Sequence, residues 1–388
     1  MYKSVDVAVV GAGHAGLNAV KEIRKFTDNY VLINGDAEFI DPGTLVVGDH
    51  CIHARATVIA TGAHPFVPGA WRRRFGEGIL TVDDLFELEH LPRAVAVIGL
   101  DPIGLEITQA LHRHGVRVTG IEQGPSICRI QDPAVHDEAV RILAREFPLW
   151  LGERAEIERE GEGFHVRAGS RETLVEKILL AMGRRPSLKG LHIERLGVPL
   201  NDLGVPEHDP RTLQVGQLAI FLAGDATGSF DDLQRAAEQG RIAGYNAASG
   251  NTRRIPPKTP MSIAFCDPSI ASVGAQWSEL NESERAVAQV RLGPVGRALI
   301  MGQRRGILRI YANRDSGALL GAAMIGPRCE HIAHLVAWAV DNRMTAEQAL
   351  SMPFHHPVVE GVFQDALQKR YEGLFTTNYT LPQGKTRG

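Results

Sequence analysis

The sequence contains little cysteine, few aromatic residues and no long apolar run. Its four cysteines are scattered singly along 388 residues, a pattern that favours neither a disulfide framework nor a metal site built on paired cysteines. No stretch reaches the roughly eighteen consecutive apolar residues of a membrane span, and residues 1–10 lack the pattern of a secretion signal. We therefore expect a protein of the reducing cytoplasm with no metal and no membrane partner.

An excess of charge of one sign is also lacking. The 42 basic and 45 acidic residues leave a net charge of −3, and no basic run or stripe stands out, so nucleic acid is a poor candidate partner. Glycine, in contrast, is abundant: 41 residues, against a usual share of about 7%. The length and the 44% hydrophobic content predict two or three α/β domains connected by tight turns.

A strand–turn–helix pattern opens the chain. Residues 5–25 run from an apolar strand through Gly11, Gly13 and Gly16 into a helical pattern, and residues 30–33 read as a second strand. Glycines at this spacing let the backbone turn sharply and approach a pyrophosphate, whose charge lies at the helix N-terminus. The pattern predicts a dinucleotide-binding unit.

Residues 94–122 repeat this plan about ninety residues later. Gly99 and Gly104 match the first and last glycines, but Asp101 stands where the first copy has its middle glycine. A carboxylate at this position repels a pyrophosphate, so we expect weak or lost binding, or a unit that is only scaffold. Glu122, at the end of the next strand, suits a ribose hydroxyl and favours NAD over NADP.

Other turns follow strand ends. Asn34 takes the ribose position in the first copy, where it can bond a hydroxyl more weakly than an acid. Residues 44–60 read as a hairpin that leads into Thr61 and Gly62, and residues 218–225 read as a strand that ends in Asp225. An aspartate just past a strand end can accept hydrogen bonds from a ribose or polyol.

Further elements are predicted as a strand that leaves its domain near Gly183, a helix at 233–248, strands at 262–265 and 306–311, and helices at 330–341 and 346–351.

The order of these motifs resembles the FAD-dependent pyridine nucleotide–disulfide oxidoreductases, and within them dihydrolipoamide dehydrogenase. Residues 265–274 and the His-Pro pair in residues 352–357 add to the likeness. The resemblance implies an α/β fold with two Rossmann-like nucleotide-binding domains, the NAD domain inserted in the FAD domain, and an α+β dimerisation domain that forms a homodimer. The implied boundaries are 1–92 with 184–255 for FAD, 93–183 for NAD and 256–388 for dimerisation.

The resemblance also assigns residues. It implies that FAD is held by Gly11, Gly13, Gly16, Asn34, Ala60, Thr61, Gly62, Gly224 and Asp225. It implies that NAD is held by Gly99, Gly104, Glu122 and Gly183. In the family, the residue that matches His356 is a base that reaches across the dimer to a thiol of the partner subunit. The residue that matches Glu106 is a glutamate that pairs with a lysine.

The sequence departs from the family at the redox centre. Asn34 joins almost directly to residues 37–39, so the segment that carries the Cys-x-x-x-x-Cys pair and the lysine partner of Glu106 is missing. The acid expected to orient His356 falls at Gly361, and Glu360 lies one position too early, rotated about 100° on a helix.

Three functions remain open from the sequence. The first is an NADH-dependent diaphorase or oxidase that passes electrons to a small acceptor, dioxygen or a quinone. The second is the family's own oxidation of dihydrolipoamide with NAD. The third is a non-catalytic flavoprotein kept for binding or dimerisation, which the two departures at the thiol and NAD sites favour.

Overall fold

The computed structural model describes residues 2–27, 31–230, 233–294 and 296–374. Its strands are β1 Tyr2–Val10, β2 Ala37–Asp41, β3 Thr44–Val47, β4 His50–Ile59, β5 Ala63–Pro65, β6 Ile79–Thr81, β7 Ala94–Ile98, β8 Arg117–Glu122, β9 Leu149–Leu151, β10 Glu156–Glu160, β11 Gly163–Ala168, β12 Arg171–Val175, β13 Lys177–Leu180, β14 Arg184–Pro186, β15 Ile220–Leu222, β16 Met261–Ala264, β17 Ser269–Gly274, β18 Arg285–Arg291, β19 Ile307–Asn313 and β20 Leu319–Gly326. Its α-helices are α1 His14–Ile23, α2 Gly69–Phe75, α3 Val82–Leu85, α4 Pro102–Arg113, α5 Pro133–Leu143, α6 Leu233–Ser249, α7 Gly296–Ile300, α8 Cys329–Asp341, α9 Ala346–Leu350 and α10 Gly361–Leu374.

The chain divides into two compact units. Unit 1 comprises Met1–Phe66 and Gly183–Pro257, and unit 2 comprises Val67–Met182 and Lys258–Gly388. Unit 1 is therefore interrupted in sequence, as expected of a domain that carries an insertion. Unit 2 contains residues 93–182 of the predicted NAD domain and residues 258–388 of the predicted dimerisation domain, together with residues 67–92 of the predicted FAD domain. The three-domain division with its boundaries stays a prediction.

Unit 1 is built on a mixed sheet of order β1-β4-β3-β2, with β15 also paired to β4. Both β1 and β15 run parallel to β4, whereas β3 and β2 return as an antiparallel hairpin. The hairpin predicted over residues 44–60 is confirmed, and so is the helix predicted at 233–248, which is α6. Because β1, β4 and β15 are parallel, their carboxyl ends lie side by side, and the first glycine turn follows the carboxyl end of β1.

The strand predicted at residues 30–33 is wrong in its described part. Residues 31–33 form no strand, Val31 and Leu32 are exposed, and Tyr30 lies outside the described residues. The order of the sheet explains the failure, because the next strand after α1 is β2, which lies at the edge of the sheet opposite β1. Among the described residues β1 is thus an edge strand, whereas a doubly wound sheet places its first strand centrally.

Small residues let two helices of unit 1 approach closely. A Cβ added at Gly240 of α6 would lie 2.1 Å from the carbonyl oxygen of Ala15, and one at Gly244 would lie 2.5 Å from that of Ala19. Any larger side chain on this face of α6 would push α1 away from it. This contact fixes the position of α1, and with it the amides at the N-terminus of α1.

Unit 2 contains a parallel sheet of order β6-β13-β7-β8-β9 and an antiparallel sheet of order β16-β17-β20-β19-β18. A smaller antiparallel sheet, β10-β11-β12, accompanies them. Every residue of β7 is buried, as is usual for a strand covered on both faces. The predicted α/β class is confirmed, and the predicted elements of residues 94–122 appear as β7, α4 and β8.

Asp132 links elements of unit 2 through a buried hydrogen-bond network. Its carboxylate accepts from the guanidinium of Arg309 and the hydroxyl of Tyr311, both at 2.6 Å, and caps α5 by accepting from the amides of Ala134 and Val135. Burial raises the pKa of the Tyr311 hydroxyl, which therefore stays protonated and donates. The network ties the start of α5 to β19.

Candidate functional site

The first glycine turn has the close contacts that only glycine permits. A Cβ at Gly11, whose φ is +108°, would lie 2.3 Å from the carbonyl oxygen of Ala60, and one at Gly16 would lie 2.0 Å from that of Gly11. A Cβ at Gly13 would meet nothing within 4 Å. The outer glycines therefore allow close packing, while Gly13 faces open space that a pyrophosphate could occupy.

The groups around this turn fit an anionic dinucleotide. Gly13 caps α1, and no side chain in the described part of the chain bonds to the first amides of the helix, so these donors are available to a phosphate. The hydroxyl of Thr61, just past β4, is buried and has no hydrogen-bond partner among the described residues. Such an orphaned buried group is rare in a native protein and points to a missing ligand.

Gly224 and Asp225 lie on a 3₁₀ turn after β15. The amide of Gly224 donates to Oε1 of the buried Gln239 at 2.7 Å, and a Cβ at Gly224 would lie 2.9 Å from that of Ala15. Arg184 lies 3.6 Å from a carboxylate oxygen of Asp225. Sequence reasoning missed Gln239, because a polar residue in a helix carries no distinguishing motif. Arg184 follows Gly183 in one of the motifs that carry the family resemblance, but no role was predicted for it.

Asn34 does not follow a strand in the structure. It lies in an irregular stretch before β2, and the described residues that precede it, 31–33, form no strand. The premise of its ribose role, a place at the end of a strand beside β1, is therefore not met, and the role itself stays a prediction.

The second glycine turn repeats the first in its packing. A Cβ at Gly99, with φ +97°, would lie 2.3 Å from the carbonyl oxygen of Ala181, and one at Gly104 would lie 2.0 Å from that of Gly99. Gly183, with φ +89°, follows Ala181 as Gly62 follows Ala60. The two turns thus share one backbone design, and Ala181 corresponds to Ala60.

Asp101 distinguishes the second turn from the first. It is the residue before α4, as Gly13 is before α1, and its side chain makes no capping hydrogen bond. Instead its carboxylate is paired with Arg129, whose Nε lies 3.0 Å from both carboxylate oxygens, while Nη2 also donates to Oδ2. The bond to Asp101 raises the pKa of the Arg129 guanidinium. No sequence motif pointed to Arg129, which lies 28 residues from Asp101.

Glu122 bonds to the backbone around the second turn. Its carboxylate accepts from the amide of Leu100 at 2.8 Å and from that of Gly124 at 3.0 Å. It therefore stands at the end of β8, where the sequence predicted it, and holds the turn in shape. Its predicted contact with a ribose stays a prediction.

Glu106, on α4, has a backbone partner in place of a lysine. Its Oε1 accepts from the amide of Phe265 at 2.7 Å. Burial raises the pKa of its carboxyl, and the hydrogen bond from Phe265 partly offsets this rise. The side chain thus anchors the segment before β17 to α4, which is a structural contact within unit 2.

All four cysteines are free, and three have thiols of low reactivity. Burial raises the pKa of Cys266 to about 12 and that of Cys128 and Cys329 well above the ordinary value. A thiol attacks as its thiolate, so burial disfavours the reactive form of these three side chains at neutral pH. Among the described residues no group of three or more His, Cys, Asp or Glu could hold a metal ion.

His356 is exposed, and within the described residues no hydrogen bond or ion pair reaches its imidazole. Glu360 lies 3.8 Å from His331 on α8 instead. Gly361, where the sequence places the expected orienting acid, begins α10. This chain alone therefore does not assemble a His–acid pair at His356, and its role as a base stays a prediction.

Comparison with known proteins identifies the family. Residues 33–240 match the pyridine nucleotide-disulphide oxidoreductase family and residues 260–367 match its dimerisation domain. The chain belongs to this family of FAD-binding, NAD(P)H-using oxidoreductases, as the sequence predicted, and by resemblance it is a flavin-dependent enzyme.

Similar proteins include a dihydrolipoyl dehydrogenase of Haloarcula marismortui, 28% identical over 89% of this chain and 76% of the relative. A mercuric reductase of Acidithiobacillus ferrooxidans is 29% identical over 85% of this chain, but the match spans only 62% of that protein. An NAD(P)H dehydrogenase (quinone) of Mycobacterium tuberculosis is 30% identical over 81% of this chain and 65% of its own length.

Solved structures share the fold. The HOCl-induced flavoprotein disulfide reductase RclA of Escherichia coli aligns with a TM-score of 0.81 at 20% identity, over 94% of this chain and 99% of that one. LpdA of Mycobacterium tuberculosis aligns with a TM-score of 0.78 at 22% identity, over 95% and 99%. The described helices include none that is long and apolar enough to cross a bilayer.

Proposed function

We propose that this chain binds FAD at its first glycine turn, takes electrons from NADH that binds weakly at the second turn, and passes them to a small acceptor without a cysteine pair. The observation that carries the proposal is the first turn, where Gly13 faces open space beside uncapped amides and the unbonded Thr61 hydroxyl. The quinone-reducing relative supports an acceptor of the quinone class.

The residues of unit 1 that would hold FAD each have a distinct task. The amides that follow Gly13 would bind the pyrophosphate, and Asp225 would accept hydrogen bonds from the ribityl hydroxyls. Gln239 and the close packing of α6 on α1 hold these groups in position. Bound FAD supplies the ability to take a hydride from NADH and return two electrons to an acceptor.

A cysteine relay is not part of the proposal. The nearest two cysteines in sequence, Cys266 and Cys329, are 63 residues apart (329 − 266), and both are buried with raised pKa values. Oxidation of dihydrolipoamide exchanges two thiols with a protein disulfide. We therefore expect reduction of a dye by NADH to exceed turnover of dihydrolipoamide, and His356 to have no thiol to deprotonate.

A non-catalytic flavoprotein is the second candidate. The pairing of Asp101 with Arg129 favours it, because a carboxylate stands at the turn where the pyrophosphate of NADH would approach. If NADH does not bind at any attainable concentration, FAD has no electron donor from this site.

The visible spectrum of the purified protein separates these functions. The protein is reconstituted with FAD, and spectra are recorded anaerobically before and after NADH is added in stepwise excess. A flavin band that bleaches supports the oxidoreductase, and a band that persists supports the non-catalytic flavoprotein. A protein that stays colourless after reconstitution contradicts both. Parallel assays then measure reduction of a dye by NADH and turnover of dihydrolipoamide. Dye reduction that exceeds dihydrolipoamide turnover supports electron transfer without a cysteine pair.

We also propose a homodimer formed through residues 256–388. The match of residues 260–367 to a dimerisation domain supports it. Sedimentation velocity at micromolar concentration should give about twice the chain mass of 42.2 kDa. A monomer at all concentrations tested would contradict the dimer while leaving the flavin assignment untouched.

A further inference from the structure

Arg129 reaches the second glycine turn through an unusual stretch of backbone. Cys128 and Arg129 both have positive φ angles, 50° and 54°, in the left-handed region that side-chain-bearing residues rarely adopt. The amide of Cys128 donates to the carbonyl of Leu100 at 2.8 Å. Two consecutive left-handed residues, anchored on the turn itself, therefore hold the guanidinium beside Asp101.

The turn also offers donors that Asp101 does not use. The side chain of Asp101 makes no capping bond to α4, and the first residue of this twelve-residue helix, Pro102, has no amide hydrogen. The donors left at the helix start are the amides of Ile103 and Gly104, to which no described side chain bonds. The positive end of a helix and a guanidinium together form a site for a phosphate. At the corresponding position of the first turn, Gly13 leaves this space open.

We propose that Arg129 is a pyrophosphate-binding residue of the second turn, and that Asp101 is an internal anion which holds Arg129 until a dinucleotide takes its place. This inference rests on the proposed function, because it assumes that the second turn is a dinucleotide site.

Exposure of the pair makes such an exchange feasible. The side chain of Arg129 is 79% exposed and that of Asp101 is 34% exposed, and a pair this open to solvent is weakly held. A guanidinium forms the same forked hydrogen bonds with a phosphate as with a carboxylate. Arg129 can therefore change partners at small cost, but the Asp101 carboxylate remains nearby and repels the incoming charge.

A double-mutant cycle tests the exchange. Binding of ADP-ribose by calorimetry and of NADH by fluorescence is measured for the full chain and for Asp101→Asn, Arg129→Gln and the double variant. Asp101→Asn should tighten binding by about tenfold, the size of one charge-assisted hydrogen bond or one relieved repulsion. Arg129→Gln should weaken it, and the double variant should lose most of the gain of Asp101→Asn. Asp83→Asn and Arg154→Gln remove the same charges elsewhere in unit 2 as controls.

Two results overturn the inference. Binding by the double variant that is as tight as that of Asp101→Asn shows that Arg129 does not contact the phosphates. No gain from Asp101→Asn, or no binding by any variant, shows that Asp101 is not the competing anion. Flavin content of the same samples is measured separately, so loss of FAD with intact ADP-ribose binding would reject the proposed function and not this exchange. Circular dichroism confirms that each variant is folded.

Discussion

At the residue scale, the two glycine turns differ most at one position, Gly13 against Asp101. Their outer glycines make matching contacts with Ala60 and Ala181, so the backbone of each turn is compatible with a dinucleotide. What differs is the charge at the helix start. Asp101 therefore places a carboxylate at the helix start of the second turn, where Gly13 leaves the first turn open to a pyrophosphate.

Replacing Gly13→Asp tests this reasoning by giving the first turn the residue of the second. The variant should fold, because a Cβ at Gly13 meets nothing within 4 Å, but FAD affinity should fall by more than about tenfold through charge repulsion. The measurement is the flavin-to-protein absorbance ratio after reconstitution and dialysis. Gly13→Ala is the control for the added Cβ alone. Full flavin content in Gly13→Asp would show that FAD does not use this turn.

Glu106 supports a prediction about pH. Burial raises the pKa of its carboxyl above 4.5 in the folded protein, so folding favours the protonated form. Ionisation therefore costs stability above the folded pKa, and this cost disappears below the unfolded value. Glu106→Gln, which keeps an acceptor for the Phe265 amide, should be more stable than the wild type at neutral pH.

The stability gain of Glu106→Gln should shrink as the pH falls through the folded pKa toward 4.5. Urea midpoints followed by tryptophan fluorescence between pH 4.5 and 8 measure it, and Glu87→Gln, an exposed residue of the same unit, serves as the control. A gain that is constant across this range, or a loss at neutral pH, would show that the carboxylate is stabilised in the fold. Dye reduction should be unchanged if Glu106 is structural.

At the element scale, α4 is fastened to the segment before β17 by side chains on one helix face. Gln109, which is buried, donates to the carbonyl of Asp267 at 2.9 Å and accepts from its amide at 2.8 Å. Arg113 also donates to that carbonyl and to the Asp267 carboxylate, both at 3.0 Å. These contacts hold the second glycine turn's helix against the antiparallel sheet.

Gln109→Ala should destabilise unit 2 by about 1–3 kcal/mol, the cost of one buried unpaired amide. Only the amide of Asp267 loses its partner, because Arg113 still serves the carbonyl. Arg113→Ala is the matched control and should cost less than about 1 kcal/mol, since its side chain is 45% exposed. Denaturant unfolding followed by tryptophan fluorescence gives both values. Equal losses in the free energy of unfolding would show that Gln109 and Arg113 contribute equally to stability, which would contradict the prediction.

Periodicity and turn residues predicted the elements whose partners lie nearby in sequence. β7, α4 and β8 were accessible because a buried strand, a glycine turn and an amphipathic helix each carry a local pattern. Residues 31–33 show the limit of this reasoning. The run is apolar, but a strand forms only where a neighbouring strand can pair with it, and residues 31–33 pair with none of the described strands. Arg129 was missed for the same reason, because only tertiary structure brings it to Asp101.

At the scale of the whole molecule, the two units carry different spectroscopic probes. The four tryptophans, Trp71, Trp150, Trp277 and Trp338, all lie within the ranges of unit 2. The predicted FAD-binding residues, in contrast, belong to unit 1. Tryptophan emission therefore reports the unfolding of unit 2, and flavin release reports that of unit 1.

Excess FAD should stabilise unit 1 selectively. A ligand that binds only the folded state at one hundred times its Kd adds about 2.7 kcal/mol, so the urea midpoint of flavin release should rise with FAD concentration while the tryptophan midpoint stays fixed. Gly13→Asp should abolish the shift, and Gln109→Ala should move only the tryptophan transition. Coincident transitions that both shift with FAD would show that the units unfold as one cooperative body, and a flavin-independent first transition would reject the assignment of FAD to unit 1.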